Sequence, residues 1–279
     1  MAGLRFSKMH GAGNDFVLLD ARAGKPLPDA RQIRAMADRH TGIGFDQLLT
    51  ITTADASGCL TAYRIHNADG SESEQCGNGA RCIAAWLHRD GVLPLNQAQK
   101  LQSPAGPIGV EVLAPLDIRI EMGEPDFSPA RCGFVEPGHA GALQRLEIAG
   151  RSINIQLVSM GNPHAVLEVD ASDEPALAEL GPALSQHPRF KAGCNAGFVQ
   201  HVDDHHVRLR VHERGAGWTR ACGSGACAAA AVMMASARCT SPVNVSLPGG
   251  TLLVEWSGRG HPLWMRGPAA FVFEGEWPL

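Results

Sequence analysis

Cys76-Gly77-Asn78-Gly79-Ala80-Arg81-Cys82-Ile83-Ala84-Ala85-Trp86-Leu87 is a cysteine, two spaced glycines and an apolar run. It recurs as Cys222-Gly223-Ser224-Gly225-Ala226-Cys227-Ala228-Ala229-Ala230-Ala231. The leading cysteines stand 146 positions apart, and each follows by ten positions the histidine of an Arg-x-His triplet, Arg64-Ile65-His66 and Arg210-Val211-His212. Aligned without a gap, 64–85 and 210–231 agree at eight of 22 positions. Upstream, Gly13-Asn14 before Asp15-Phe16-Val17 is echoed by Gly161-Asn162 before Pro163-His164-Ala165-Val166. A repeat of this length means two copies of one domain, because solenoid units are far shorter.

Both cysteine-led segments read as helices, Gly77 to Arg89 and Gly223 to Arg238, with little or no polar stripe. A helix apolar on every side is buried on every side. Short alternating segments surround them: Phe6 to Met9 and Phe16 to Asp20 as an opening hairpin, then Leu48–Thr52, Leu60–His66, Ile108–Leu113 and Ile118–Met122. The second copy has Ile153–Ser159, Ala165–Val169 and a hairpin Gly197–Val202/Val207–Val211, with further helices at Asp29–Arg39 and Pro175–Ser185. The pattern predicts a mixed α/β (α+β) fold of two pseudo-symmetric domains, each a β-sheet curled into a barrel around a central apolar helix. Gly123 to Pro129, rich in Pro, Gly and acids, reads as the linker. The expected domains are 1–126 plus the final strand at 270–279, carrying Cys76, and 127–269, carrying Cys222.

The 279 residues, 44% hydrophobic with net charge −4, suit two moderate domains and show no electrostatic bias towards nucleic acid or an anionic membrane. The most apolar run, Ala226 to Ala237, is too short to span a bilayer. The first sixteen residues lack the apolar stretch of a signal peptide, so the cytoplasm is the default expectation. Eight cysteines in such a chain read as free thiols rather than a disulfide framework, and no Cys-x2-Cys pair offers structural zinc. His201-Val202-Asp203-Asp204-His205-His206 tempts a metal reading, but Asp-Asp between two strands is a natural turn.

Each Cys-Gly-x-Gly-Ala start places a thiol beside the free N–H groups and positive end of a helix. Phosphate is one candidate anion. However, Cys82 and Ala228 stand where a third glycine would complete a nucleotide loop, and no Walker lysine follows. A carboxylate fits the same donors, and a helix start also favours the thiolate. Two equivalent thiols suit stereoinversion: one thiolate removes an α-hydrogen and the other thiol returns a proton to the opposite face. None of Lys8, Lys25, Lys100 and Lys191 has a pyridoxal context, so chemistry without cofactor or metal is expected.

Lys8-Met9-His10-Gly11, Gly13-Asn14-Asp15-Phe16, Arg39-His40 and Gly42-Ile43-Gly44-Phe45-Asp46-Gln47-Leu48-Leu49 together resemble diaminopimelate epimerase. So do Asn67 to Glu72, Glu74 to Cys82, Gly161-Asn162-Pro163-His164, Glu213-Arg214-Gly215 and Ala221 to Cys227. The resemblance spans nearly the whole chain. It implies epimerisation of LL-2,6-diaminopimelate to the meso isomer, in lysine and peptidoglycan-precursor biosynthesis, by a cofactor-free homodimer. By position it makes Cys76 and Cys222 the acid/base thiols, and puts the reacting carboxylate on Gly77-Asn78 and Gly223-Ser224. Asn14, Gln47, Asn67, Asn162, Asn195, Glu213 and Arg214 line the implied substrate pocket, with His164 and Glu213 tuning catalysis and Phe273 at the dimer contact. Arg214 can clamp a distal carboxylate in a fork, and Glu213 can take an ammonium. Trp218, where the family usually has an acid, and Arg220 are departures.

Two rival readings stay open. A proline or hydroxyproline racemase would use the same thiol pair, but its small ring needs no Arg214 clamp. A cysteine-nucleophile hydrolase could take His66, His164 or His212 as base, but it leaves the second cysteine without a role.

Overall fold

The computed structural model describes residues 3–24, 27–73, 76–135, 139–148, 150–172 and 175–278. The chain divides into two compact units, Met1–Glu121 with Arg266–Leu279, and Met122–Met265.

The first unit opens with strands β1 (Leu4–Gly11) and β2 (Asn14–Asp20), joined by a two-residue turn in which Ala12 and Gly13 both have positive φ, 52° and 85°. That is the tight turn whose twist suits a hairpin. Helix α1 (Ala30–Ala37) follows, started by Asp29, whose carboxylate accepts from the Gln32 N–H while the Gln32 side chain accepts from the Asp29 N–H. This reciprocal cap satisfies two orphan donors at once. Asp38 stops the helix by accepting from the His40 and Thr41 N–H groups, so it ends before Arg39. Strand β3 (Gln47–Thr52) returns parallel to β2, and β4 (Ala62–Asn67) runs antiparallel to β3. After β5 (Glu72–Ser73) comes helix α2 (Gly77–Arg89); then β6 (Gln99–Ser103) pairs parallel to β4, and β7 (Gly106–Ala114) and β8 (Asp117–Glu121) close the meander.

The second unit repeats this grammar. Strand β9 (Gln144–Ile148) precedes β10 (Arg151–Ser159), which pairs antiparallel with β11 (Pro163–Glu168). Helix α3 (Leu177–Ser185) crosses to β12 (Asn195–Asp203), parallel to β11, and β13 (His206–Glu213) runs back antiparallel. Past β14 (Gly217–Thr219) and helix α4 (Gly223–Ala235), β15 (Val243–Leu247) pairs parallel to β13 and antiparallel to β16 (Gly250–Glu255). After β17 (Trp264–Pro268), the last strand, β18 (Ala270–Trp277), lies antiparallel to β1. Both copies therefore share one order: hairpin, helical crossover, hairpin, cysteine-led crossover, hairpin.

Within its own unit α2 touches β1, β2, β3, β7 and β8, and α4 touches β10 to β13, β15 and β16. Ten of the thirteen residues of each helix are buried, which is why neither needs a polar face. The first crossover helices pack elsewhere. Ile33, Met36 and Ala37 of α1 join Leu4, Phe6, Val17 and Leu19, while Leu177 and Leu184 of α3 join Leu146, Ile155, Leu157 and Phe198. The strands of each unit are thus covered on both sides, and Phe16, Val17, Leu18 and Leu19 are consecutively buried. The stretch read as a linker is irregular but anchored inside the second unit. Pro125, Phe127 and Pro129 are buried, and Asp126 exchanges backbone hydrogen bonds with Ser159 at 2.7 and 3.0 Å. Its Pro and Gly content prevents a long strand, yet its aromatic side chain still needs a core.

Candidate active site

Cys76 is the residue that caps α2. Its backbone is extended (φ −148°, ψ 101°), and its Sγ accepts from the Gly79 N–H at 3.4 Å. A Cβ at Gly79 would press on the Leu49 side chain at 3.0 Å while meeting the Cys76 sulfur at an ordinary 3.5 Å. Asn14, at the start of β2, brings its Oδ1 to 3.7 Å from the same sulfur and accepts from Asn78 Nδ2 at 3.3 Å. Asn78 is oriented by Arg81, whose Nη2 donates to its Oδ1 at 2.8 Å. Arg81 is fully buried, and its Nε donates to the Pro268 carbonyl at 3.3 Å. The other end of Asn14 donates to Asp46 at 2.8 Å; Asp46 also accepts from Arg39, which forks onto Asp15 at 2.8 and 3.0 Å. Lys8 joins the cluster through Asp15 and the Gly44 carbonyl. Burial pushes the Asp15 carboxyl upward, but Arg39 and Lys8 together outweigh it and hold the group well below the usual carboxylate range. Nearby, Gln47 donates to Asn67 at 2.9 Å across the β3–β4 pair.

Cys222 occupies the equivalent position on α4 (φ −116°, ψ 107°), its Sγ accepting from the Gly225 N–H at 3.3 Å. A Cβ at Gly225 would come within 2.9 Å of Val211 and 3.1 Å of that sulfur. The Ser224 hydroxyl lies 3.6 Å from the Cys222 sulfur and accepts from Asn162 Nδ2 at 3.3 Å, while Asn162 Oδ1 meets His164 Nε2 at 3.0 Å. Burial pushes the Cys222 thiol well above its ordinary pKa and the charge of Glu213 acts in the same direction, against the hydrogen bonds of Ser224 and Gly225. Burial, reinforced by the charge of Arg214, lowers His164 to about 3, so this histidine is neutral at working pH. Glu213 accepts from the Thr219 hydroxyl at 2.5 Å. Asn195 is buried and takes the Arg214 N–H at 2.9 Å; the exposed Arg214 guanidinium donates to the Ala192 carbonyl at 3.2 Å.

In the first unit Asn14, Asn78 and Cys76 therefore form one cluster, with the Gln47–Asn67 pair beside it on β3 and β4. In the second, Asn162, Ser224 and Cys222 form the matching cluster, Glu213 acts on the Cys222 sulfur, and Asn195 pins the adjacent Arg214. Glu74 and Gln75, inside the quoted motif, lie outside the described residues. Phe273 is 48% exposed on β18 and meets Phe6 edge-on at 5.9 Å. No disulfide joins the remaining cysteines; burial raises Cys82 and Cys132 to about 12, as expected of thiols with a packing role. The histidines of 201–206 turn to separate partners: His201 to the Arg238 carbonyl, His205 to the Pro242 carbonyl and His206 to Ser246.

Three contributors escaped the sequence reading: Asp46, Arg81 and Thr219. Only Arg81 left a signal, as a charge set in the apolar first half of its helix.

Trp218 now has a structural account. Its ring packs on Phe198 at 5.6 Å and edge-on to His212 at 5.4 Å, with Arg210 over its face at 4.9 Å. It fills the space over Gly181 of α3, where an added Cβ would lie 2.4 Å from the indole. Alanine is the better helix former by about 1 kcal/mol, but overpacking costs about 1–3 kcal/mol. Gly181→Ala is therefore expected to destabilise the protein by roughly 1 kcal/mol in urea melts. Combining it with Trp218→Leu should relieve the clash, with a coupling of about 1 kcal/mol in the double-mutant cycle; additive effects would refute the wedge.

The protein-family description diaminopimelate epimerase matches twice, over residues 6–128 and 156–272. A diaminopimelate epimerase of Xanthomonas campestris pv. campestris is 50% identical over 274 residues, covering 98% of this chain and 96% of the relative. One of Xylella fastidiosa is likewise 50% identical, with the same coverage of both chains. Among solved structures, a hydroxyproline epimerase from Agrobacterium vitis superposes with TM-score 0.71 at 18% identity, covering 99% of this chain and 92% of that one. A methylitaconate-delta-isomerase superposes with TM-score 0.66 at 13% identity, covering 98% and 94%. At such identities these two likenesses concern the fold alone. The duplicated cysteine-capped helices and the matches to both halves lead to one conclusion: the chain belongs to the diaminopimelate epimerase family.

Proposed function

We propose that this chain is a diaminopimelate epimerase, an isomerase converting LL-2,6-diaminopimelate to the meso isomer in lysine and peptidoglycan-precursor biosynthesis. One observation carries the mechanism: each unit holds one cysteine at the same place, capping a buried helix, with its sulfur already accepting a helix-start N–H. In this reading Cys76 and Cys222 serve one α-carbon. One thiolate takes the hydrogen, the other thiol delivers a proton from the opposite side, and the reverse reaction exchanges their roles. The pair carries one proton between them and titrates as a unit. Charge developing on the substrate carboxylate is met by the helix starts at Gly77-Asn78 and Gly223-Ser224, preorganised donors that need no cofactor or metal. Glu213 receives an ammonium group, Arg214 the distal carboxylate, and Asn14, Gln47, Asn67, Asn162 and Asn195 hold orientation. The raised pKa of Cys222 fits this scheme: an ammonium beside Glu213 removes the like charge that helps keep the sulfur protonated.

We further read the enzyme as cytoplasmic and homodimeric, with exposed Val272 and Phe273 on β18 contributing to the contact. No helix of the described residues is long and apolar enough to cross a membrane.

Incubation with LL-diaminopimelate in heavy water tests the reading. The meso product should appear with deuterium at the inverted α-carbon and its carbon–carbon and carbon–nitrogen bonds intact, while proline is not turned over. Turnover of proline instead would favour the ring-substrate racemase. A hydrolytic product would favour the cysteine nucleophile.

Thr219 enters the same scheme as a positioning residue, because its hydroxyl holds one Glu213 oxygen and leaves the other for the ammonium. Thr219→Val removes a hydrogen bond to a charged group, worth about 1.5–3 kcal/mol. A fall of about tenfold or more in kcat/KM is expected, with rescue by Thr219→Ser; an unchanged kcat/KM in the valine variant would remove Thr219 from the scheme.

A further inference from the structure

The two half-sites look equivalent in sequence, but their hydrogen-bond chains are polarised in opposite senses. In the first unit Asn14 is fixed from both ends. Asp46, held by Arg39 and by the Asp15 N–H at 3.2 Å, is an acceptor, so the amide facing it must be the Asn14 NH2. Arg81 can only donate, so it takes the Asn78 oxygen, turning the Asn78 NH2 towards Asn14 Oδ1. Asn14 therefore presents an oxygen to Cys76, and at 3.7 Å the S–H is the donor. Donation runs outward: Cys76 to Asn14, Asn14 to Asp46.

In the second unit the pseudo-equivalent asparagine is turned round. His164 is buried, and its Nδ1 has no hydrogen-bond partner among the described residues. An orphaned buried N–H is rarer than an orphaned acceptor, which assigns the proton to Nε2, where it donates to Asn162 Oδ1. Asn162 then offers its NH2 to Ser224, and Ser224, having accepted, is free to donate to the Cys222 sulfur at 3.6 Å. Donation runs inward: His164 to Asn162, Asn162 to Ser224, Ser224 to Cys222. The charged groups around these chains are Arg39, Asp46, Asp15, Lys8 and Arg81 in the first unit, and Glu213 and Arg214 in the second.

We infer that Asn14, locked by Asp46 and Arg81, holds the proton on Cys76, whereas Ser224, locked by Asn162 and His164, offers Cys222 a donor that favours its thiolate against the opposing charge of Glu213. The two thiols are unequal by construction. This rests on the reading of both cysteines as acid/base groups only for its catalytic meaning, since the polarity itself is a property of the free enzyme. Asp46, Arg81 and His164 are then positioning residues, acting through the amides they orient.

Thiol alkylation reads the polarity independently of turnover. The wild-type protein and its Asn14→Leu and Ser224→Ala variants are treated with iodoacetamide at fixed pH, without substrate, and modification at Cys76 and Cys222 is followed by peptide mass spectrometry. Removing the acceptor should speed Cys76 alkylation about threefold or more in Asn14→Leu, since the thiolate is the nucleophile. Removing the donor should slow Cys222 alkylation by a similar factor in Ser224→Ala. Asn14→Ala replaces the leucine variant if circular dichroism shows the latter unfolded, and the sign expected is the same. A Cys76 rate that falls or stays level, or a Cys222 rate that rises or stays level, overturns the inference. Loss of epimerase activity in the wild type would overturn the functional reading while leaving this result intact.

Discussion

Cys76→Ser and Cys222→Ser are each expected to lower epimerisation by about three orders of magnitude, in both kcat and kcat/KM, because a positioned acid or base contributes about 10²–10⁴ in rate. Serine keeps the size and the helix cap, and its hydroxyl can still accept the Gly79 or Gly225 N–H now taken by sulfur. What it lacks is acidity, as an alkyl hydroxyl neither supplies a base near neutrality nor gives up its proton readily. The loss should therefore appear without loss of fold, checked by an unchanged thermal melt. Because the two groups act on one proton inventory, the double variant should lose scarcely more than either single one. Wild-type turnover in either single variant would sink the two-base scheme.

The second large effect concerns Arg214. Its backbone N–H is pinned by Asn195 and its Nη1 by the Ala192 carbonyl, leaving an exposed planar fork on a fixed stem. A bidentate carboxylate contact with two charge-assisted hydrogen bonds is worth about 3–4 kcal/mol. Arg214→Met should accordingly reduce kcat/KM for diaminopimelate by about 10²–10³. Arg214→Lys should recover only part of this, because a point charge does not reproduce the fork. Steady-state kinetics with both variants checks it. Equal activity of the methionine variant would place the distal carboxylate elsewhere and reopen the ring-substrate alternative.

Much of the architecture was readable before any coordinates. The repeated cysteine-glycine helices, with little or no polar stripe, announce two sheets each wrapped on a buried helix, because such a helix has no other place to go. Asp29 marked the start of α1 because capping is local chemistry between residues three apart. Strands such as Gln99–Ser103 and Gln144–Ile148 went unread, since partial burial among polar residues leaves little alternation to detect. The segment at 123–129 was read from its composition as a linker, when its aromatic and prolines are buried in the second unit.

The sequence by itself determined the duplication, the placing of one thiol at each helix start, and the residue types able to hold a carboxylate and an ammonium. These are matters of spacing and of side-chain chemistry within a turn or two. Only the tertiary structure decided which way each amide points. Asn14 and Asn162 are the same residue in repeated positions, yet Asp46 lies 32 positions from Asn14 while His164 lies two from Asn162. An amide offers a donor at one end and an acceptor at the other, and its sense is set by the partner that the fold brings to it.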